Sequence, residues 1–455
     1  MSSKSKRPVM VAMVSLGCAK NLVDSEVMAG TLATAGFMLI GEAGDADVLV
    51  INTCAFIADA RNEALAEVEN GVAWKKARSG RRLAVAGCLP QREHGALHAR
   101  FPEIDLFLGV DDVPRIADLL RATPSEPAPA AAMPLPRYLY DETTPRLLLT
   151  PAAFAYVKIA EGCDHHCRFC AIPSIRGHQR SRSMPSVVRE VRNLLEQGVH
   201  EINLIAQDTT RYGADRADGA TLAGLLRELD ALPGQFWLRV LYTHPKHFTD
   251  DLLEVFAAAR HLVPYIDMPL QHISDGILRA MGRGMGEDAT RDLLARLRAR
   301  LPKAVLRTTF LVGYPGETEA DFAKLLAFVK ETRFDRLGAF AYSPEAGTPA
   351  STITEGVVPA GVAQARRDAL LEAQQAIALE KNQALVGQEL EVLLERTGDR
   401  QGWLAGRAAG DAPEVDNTVH VHGVKSLLRD GFCRVRVTAA GPYDLDAAPK
   451  PGRLR

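Results

Sequence analysis

The sequence predicts an α/β protein in three parts: an amino-terminal open parallel α/β sheet, a central partial (β/α)6 barrel and a small all-β barrel at the carboxyl end. Three observations carry this reading. Short apolar segments alternate with amphipathic helical ones from residue 9 to about 121, and again from about 152 to 345, which is the pattern of parallel β/α units. A run rich in proline and alanine, 123–136, breaks the periodicity between the two series and reads as a linker. After a helical stretch over 359–384, the pattern changes to short alternating segments separated by glycines.

In order, strands are expected at 9–16, 47–52, 83–86 and 106–110, with helices such as 59–77 between them. The central series places strands at 155–160, 201–206, 237–242, 265–270, 304–312 and 336–341, separated by helices such as 185–197 and 289–300. Strands at 389–394, 403–405, 417–421 and 432–437 complete the chain. These boundaries divide it into 8–121, a linker 122–148, a barrel 149–378 and a final domain 379–447.

With 47% hydrophobic and 24% charged residues, 455 residues can bury several cores. The formal charge of −2 provides no bulk attraction to nucleic acid. No run of about 18 apolar residues occurs, so no membrane span is expected. Lys4, Lys6 and Arg7 ahead of Val9–Val14 and Gly17-Cys18 superficially resemble a lipoprotein signal. Ser15 stands where such a signal has an aliphatic residue, and Cys18 leads into a helix start, so the run reads as a buried first strand. Six of the seven cysteines fall into two groups, which points to a reducing cytoplasm and metal binding rather than disulfides.

The first group is Cys163, Cys167 and Cys170, a CxxxCxxC loop directly after the first barrel strand. Chemistry gathers at the carboxyl ends of such strands. Three thiolates satisfy three irons of a 4Fe-4S cluster and leave the fourth open to a ligand, whereas electron-transfer clusters generally use four. The spacing also admits zinc, with His165 or His166 as fourth ligand. The second group is dispersed: Cys18, Cys54 and Cys88 each follow a strand of the first sheet, two of them preceded by glycine. Parallel-sheet carboxyl edges converge on one crevice, so these thiols can meet and hold a second cluster. Cys433, alternating with Arg434 and Arg436, reads as a buried thiol in a strand.

CxxxCxxC after the first strand of a β/α series resembles the signature of the radical S-adenosylmethionine enzymes. With the second triad and the three-part layout, the chain is similar over 9–447 to the methylthiotransferases of that superfamily, whose last domain is a TRAM barrel. The resemblance implies two 4Fe-4S clusters and S-adenosylmethionine. Cys163, Cys167 and Cys170 would serve radical generation, and Cys18, Cys54 and Cys88 the cluster that delivers sulfur. Gly313, Pro315, Gly316 and Glu317, in the run Phe310–Thr318, resemble the loop against the adenosine part of the cofactor. Gln207 and Asp208 end the second barrel strand and Gln271 the fourth, so these three are expected to contact cofactor or substrate.

Methylthiotransferases modify either a tRNA adenosine or, in the RimO branch, an aspartate of small-subunit ribosomal protein S-twelve. The runs 15–26, 162–167 and 267–272 resemble the RimO branch, with Ala19 standing where the pattern has proline. Residues 380–447 carry eleven acidic and eight basic side chains, a net charge of −3, which suits a basic protein better than tRNA phosphates. The expectation is a methylthio group placed on the β-carbon of that aspartate, on the free protein or the ribosome, with an electron donor and a sulfur donor as further partners. Two readings outside this family are a two-cluster electron carrier and a zinc-stabilised RNA-binding protein.

Overall fold

The first apolar run becomes strand β1 (Met10–Ser15), and four strands join it in one parallel sheet: β2 (Met38–Ile40), β3 (Val48–Thr53), β4 (Arg82–Gly87) and β5 (Leu106–Leu108). The computed structural model describes residues 7–122, 133–397, 402–424 and 431–450, so most of the expected linker, 123–132, lies outside the described residues. Two compact units divide the chain. The first holds the chain up to Leu149 together with Ala160–His165 and Cys170–Arg182, and the second holds Thr150–Ile159, His166–Phe169 and everything from Ser183.

In the first unit the strand order is β2-β1-β3-β4-β5. The chain leaves β1 toward one edge for β2 and then crosses back to β3, so the order reverses between β1 and β3. That is the point where an open α/β sheet forms its crevice. β3 is buried along its whole length, as the apolar run Val48–Ile51 requires of a strand covered on both faces. The helix Ala19–Thr34 sets Val23, Val27, Met28 and Leu32 at helical spacing, each at most 1% exposed. Burial of each contributes about 1.5–3 kcal/mol. β2 is not among the expected strands, because three half-exposed residues carry no period.

Strand β6 (Phe154–Lys158) opens the second unit, and the next pair, β7 (Ala160–Glu161) and β8 (Arg180–Ser181), is an antiparallel hairpin of the first. The second unit continues with β9 (Glu201–Ile205), β10 (Trp237–Val240), β11 (Tyr265–Asp267), β12 (Val305–Val312) and β13 (Arg336–Ala341). They pair in parallel as β10-β9-β6 and β11-β12-β13. Leu238 bridges to Leu262, and the Thr243 N–H donates to the Asp267 carbonyl at 2.9 Å, which links the two sheets. All six expected barrel strands are present.

The last five strands are β14 (Glu389–Thr397), β15 (Trp403–Ala408), β16 (Val419–His422), β17 (Phe432–Ala440) and β18 (Leu445–Pro449), closed as β14-β15-β16-β18-β17. Val392, Leu394, Val421, Val435 and Cys433 fill this barrel, with Cys433 5% exposed. β18 goes unannounced in the sequence because Asp446, two alanines and Pro449 are weak strand formers.

Residues 409–417, between β15 and β16, plug the amino ends of the central strands. Asp411 pairs with Arg336 and Asp416 with Arg307. The Tyr265 hydroxyl donates to Asp416, and the Tyr156 hydroxyl to Glu414 at 3.0 Å. Arg239 reaches Glu201 at 2.7 Å and the Ala409 carbonyl at 2.9 Å, while Arg407 joins Glu201 to Glu395. Burial alone pushes the Glu201 carboxyl up, and the two guanidiniums outweigh it and hold it below its ordinary value. The sequence count of −3 must therefore be corrected. Glu395, Asp411, Asp416 and Arg407 belong to this network, leaving eight acids and seven bases, a net charge of −1. The acidic surplus is mostly internal, so it does not select a basic partner.

Replacing Arg407 with Met should leave Glu201 and Glu395 without their shared cation and cost about 3–5 kcal/mol, because a buried charge loses its partner. Thermal unfolding followed by circular dichroism should show a lower midpoint, and an unchanged midpoint would refute the role assigned to this network.

Candidate metal centre

Cys18, Cys54 and Cys88 stand immediately beyond the carboxyl ends of β1, β3 and β4, around the strand-order reversal. Cys18 precedes the helix Ala19–Thr34 and Cys88 begins the helix Cys88–Arg100. Helix amino ends favour a thiolate over a thiol. The glycines before both cysteines are sterically required. Gly17 has φ of 93°, and a Cβ there would lie 2.6 Å from the Cys54 Cβ. Gly87 has φ of 96°, and a Cβ there would lie 2.3 Å from the Asn52 Oδ1 and 2.6 Å from the Thr53 carbonyl. The backbones around the three cysteines thus crowd each other, and only glycine permits both the left-handed turn and the approach.

A buried polar cluster fixes these loops. The Asn21 amide donates to the carbonyls of Leu16 and Thr53, at 2.6 and 3.3 Å, clipping the run before Cys18 to the run before Cys54. Asn52 donates to the Asn21 carbonyl and to the Ser25 hydroxyl, each at 2.8 Å. The Thr53 hydroxyl donates to the Ala86 carbonyl at 2.6 Å and accepts from the Leu89 N–H at 3.4 Å, which fixes the Cys88 turn. Glu26, fully buried, pairs with Arg146 at 2.6 Å and accepts from the Leu149 N–H at 2.9 Å, so the strap that ends the first unit is tied to the same helix.

Arg176 enters this cluster from the segment Cys170–Arg182, which belongs to the first unit. It is 2% exposed. Its Nη1 donates to Asp24 at 2.7 Å and Glu161 at 3.3 Å, and its Nη2 to the Asn21 Oδ1 and the Cys88 sulfur, both at 3.2 Å. Burial opposes its charge, but Cys88, Asp24 and Glu161 outweigh burial and hold the guanidinium protonated. Burial pushes the Cys54 thiol up to about 12, with the negative charge of Cys88 and Cys18 adding to the effect and the Phe56 N–H opposing it. The Cys88 thiol also moves up by burial, against the pull of Arg176. Three electrostatically coupled thiols at one edge form a soft donor set that fits an iron–sulfur cluster.

The cysteines of the CxxxCxxC loop divide between the units. Cys163 and Cys170 lie in the first, where the Cys163 sulfur accepts from the His165 N–H at 3.5 Å and the Cys163 N–H donates to the Gly177 carbonyl. Cys167 lies in the second, where Arg283 contacts its sulfur at 3.6 Å and the Pro269 carbonyl at 2.7 Å. The backbone beside it is pinned by Arg168, whose N–H donates to Met281 and whose carbonyl accepts from Ala350.

The remaining candidates lie in the second unit. Gln207 and Asp208 follow β9, where Asp208 caps a turn by accepting from the Thr210 N–H at 2.9 Å. Gln271, beyond β11, has φ of 71° and pairs through its backbone with β12 at Phe310. Gly313, Pro315 and Gly316 form the turn after β12. The Glu317 carboxylate accepts from the N–H groups of Gly313 and Tyr314 and pairs with Arg366 at 3.1 Å. Its side chain is fully buried, so it acts on the shape of that turn.

Asn21, Asp24, Arg176 and Arg283 were not singled out in the sequence. Asn21, Asp24 and Ser25, three and four residues apart, share one face of a helix whose residues 23–30 are all buried, and that spacing of polar residues was the available signal. For Arg176 and Arg283 no local pattern existed, since their partners are distant in the chain.

Residues 10–109 match the model of the uncharacterized protein family UPF0004, residues 157–329 that of the radical SAM superfamily and residues 386–449 that of the TRAM domain. A ribosomal protein uS12 methylthiotransferase RimO of Syntrophotalea carbinolica is 45% identical over 96% of this chain and 95% of its own. Its counterpart in Syntrophus aciditrophicus is 46% identical over 97% and 98%. Among solved structures, the radical S-adenosylmethionine methyltransferase TsrM from Kitasatospora setae, with cobalamin and a [4Fe-4S] cluster bound, superposes with a TM-score of 0.55 at 17% identity, covering 76% of this chain and 77% of that one. The likeness to TsrM concerns the fold.

In metal-free protein at pH 8, iodoacetamide should modify the exposed Cys18 first. Cys54, pushed up to about 12, presents a thiolate fraction of only ~10⁻⁴ at that pH and should react appreciably only in strongly alkaline solution. Peptide mass spectrometry after timed labelling checks this order, and equal rates for Cys18 and Cys54 at pH 8 would contradict it.

Proposed function

This chain belongs to the RimO family of ribosomal protein uS12 methylthiotransferases, and from that premise we propose that it replaces a hydrogen on the β-carbon of a uS12 aspartate with a methylthio group. The observation that carries the proposal is the placement of Cys18, Cys54 and Cys88 just beyond the carboxyl ends of β1, β3 and β4 at the strand-order reversal of the first unit, in a chain that also bears the CxxxCxxC loop. Radical generation alone needs the loop; insertion of sulfur needs a second place for it.

In this reading Cys163, Cys167 and Cys170 hold one 4Fe-4S cluster, and Cys18, Cys54 and Cys88 the other. When bound, the clusters and S-adenosylmethionine supply an electron, a carbon radical, a sulfur and a methyl group. The protein's part is placement. Glu317 holds the N–H groups of Gly313 and Tyr314, so the turn 313–316 presents a fixed backbone to the adenosine side of the cofactor. Gln207, Asp208 and Gln271, beyond the carboxyl ends of β9 and β11, would offer polar contacts to cofactor or substrate. Domain limits of 8–121, 122–148, 149–378 and 379–447 follow from the same assignment. A cytoplasmic setting suits seven free thiols; among the described residues no helix is long and apolar enough to cross a membrane.

Protein reconstituted anaerobically should hold about eight irons per chain, and about four when Cys163, Cys167 and Cys170 are replaced by alanine. Incubated with reductant, sulfide, S-adenosylmethionine and uS12, it should add one methylthio group to a single aspartate, located by fragmentation mass spectrometry. Cys88→Ala should still cleave S-adenosylmethionine reductively and transfer no methylthio group. Unmodified uS12 together with a methylthiolated tRNA adenosine would overturn the assignment.

A further inference from the structure

We infer that Arg176 is a positioning residue for the cluster held by Cys18, Cys54 and Cys88: its hydrogen bond to the Cys88 sulfur sets that cluster's reduction potential. The inference rests on the two-cluster reading given above and adds a role for a residue that no cysteine motif contains.

The guanidinium is oriented by its other partners. Nη1 faces two carboxylates, Asp24 at 2.7 Å and Glu161 at 3.3 Å, and this pairing turns Nη2 toward Cys88 at 3.2 Å. The Asn21 Oδ1 shares Nη2, also at 3.2 Å, while the Asn21 side-chain amide nitrogen holds the loops of Cys18 and Cys54. One network therefore fixes the arginine and the strand-end loops together. Arg176, Asp24 and Glu161 have side-chain exposures of 2%, 4% and 1%, so water does not screen the bond. A purely structural ion pair would be complete with the two carboxylates. The additional contact falls on a ligand sulfur, where a charged donor withdraws electron density and makes an added electron less costly.

The arginine also has a particular place in the chain. Glu161 stands two residues before Cys163, and Arg176 six residues after Cys170, so their ion pair closes the ends of the segment that carries the CxxxCxxC loop. The residue that contacts Cys88 thereby also fixes the stem of the CxxxCxxC loop.

The test uses the full-length chain with Cys163, Cys167 and Cys170 replaced by alanine, reconstituted anaerobically so that only one cluster remains. Its midpoint potential is measured by a redox titration followed in the visible and by electron paramagnetic resonance, and compared with that of added R176K, R176Q and R176M. A lower potential in R176M is expected, with R176K and R176Q between it and the parent, because lysine retains the charge and glutamine a neutral donor. If R176M fails to retain iron, the shift is read from R176K and R176Q. A cluster of unchanged potential and spectrum in every variant that binds iron would overturn the inference alone. Absence of a four-iron spectrum in the parent would overturn the two-cluster reading, and the inference with it.

Discussion

The first unit depends on one buried cation. Arg176 sits among Asp24, Glu161, Asn21 and Cys88 with almost no access to water, and these groups come from three stretches of chain: the first helix, β7 and the turn after β4. Removing a charge from water is costly, so such a residue is tolerated only where its partners are held in place by something else. Here they are held by hydrogen bonds between strand ends and the first helix: Asn21 to Leu16 and Thr53, Asn52 to Asn21 and Ser25, and Thr53 to Ala86. The parallel sheet brings three cysteines to one edge, and this polar layer determines how closely the loops bearing them approach.

The second unit applies the same physics at the opposite ends of its strands. The plug at 409–417 neutralises arginines at the base of the central strands, so the all-β barrel is fastened to the β/α barrel through buried charge rather than an apolar face alone. Ion pairs and the proposed contact residues are thereby separated along the strands: amino ends carry the ion pairs, while carboxyl ends carry Gln207, Asp208, Gln271 and the 313–316 turn. Fixing the amino ends keeps the carboxyl ends in register at little cost to their polarity.

How much of this was legible in the sequence follows from which signals are local. The six central strands and the strand-end placement of Cys18, Cys54 and Cys88 were readable, because apolar runs and the residues that follow them are contiguous. β2 and β18 were not, one being too short to show a period and the other being built from weak strand formers. The reversal of strand order between β1 and β3 depends on β2, so the crevice could be expected only in outline. The acidic excess of the last domain was counted correctly and assigned wrongly, since a count does not record that Asp411 and Asp416 face arginines of another barrel. Arg176 and Cys88 are 88 residues apart, and no pattern along the chain connects them.

The polar layer also bears on the protonation of the thiol site. Asp24 and Glu161 together carry one charge more than Arg176, so thiolates at the buried Cys54 and Cys88 would add negative charge where little water can reach it. Burial instead pushes Cys54 and Cys88 up, which favours the thiol over the thiolate. Cations that bind thiolates must displace those protons, which couples loading to proton release. Arg176 does not exchange its charge in this process. It contacts Asp24, Glu161 and the Cys88 sulfur at once, so one buried guanidinium faces both the carboxylates and the thiol edge.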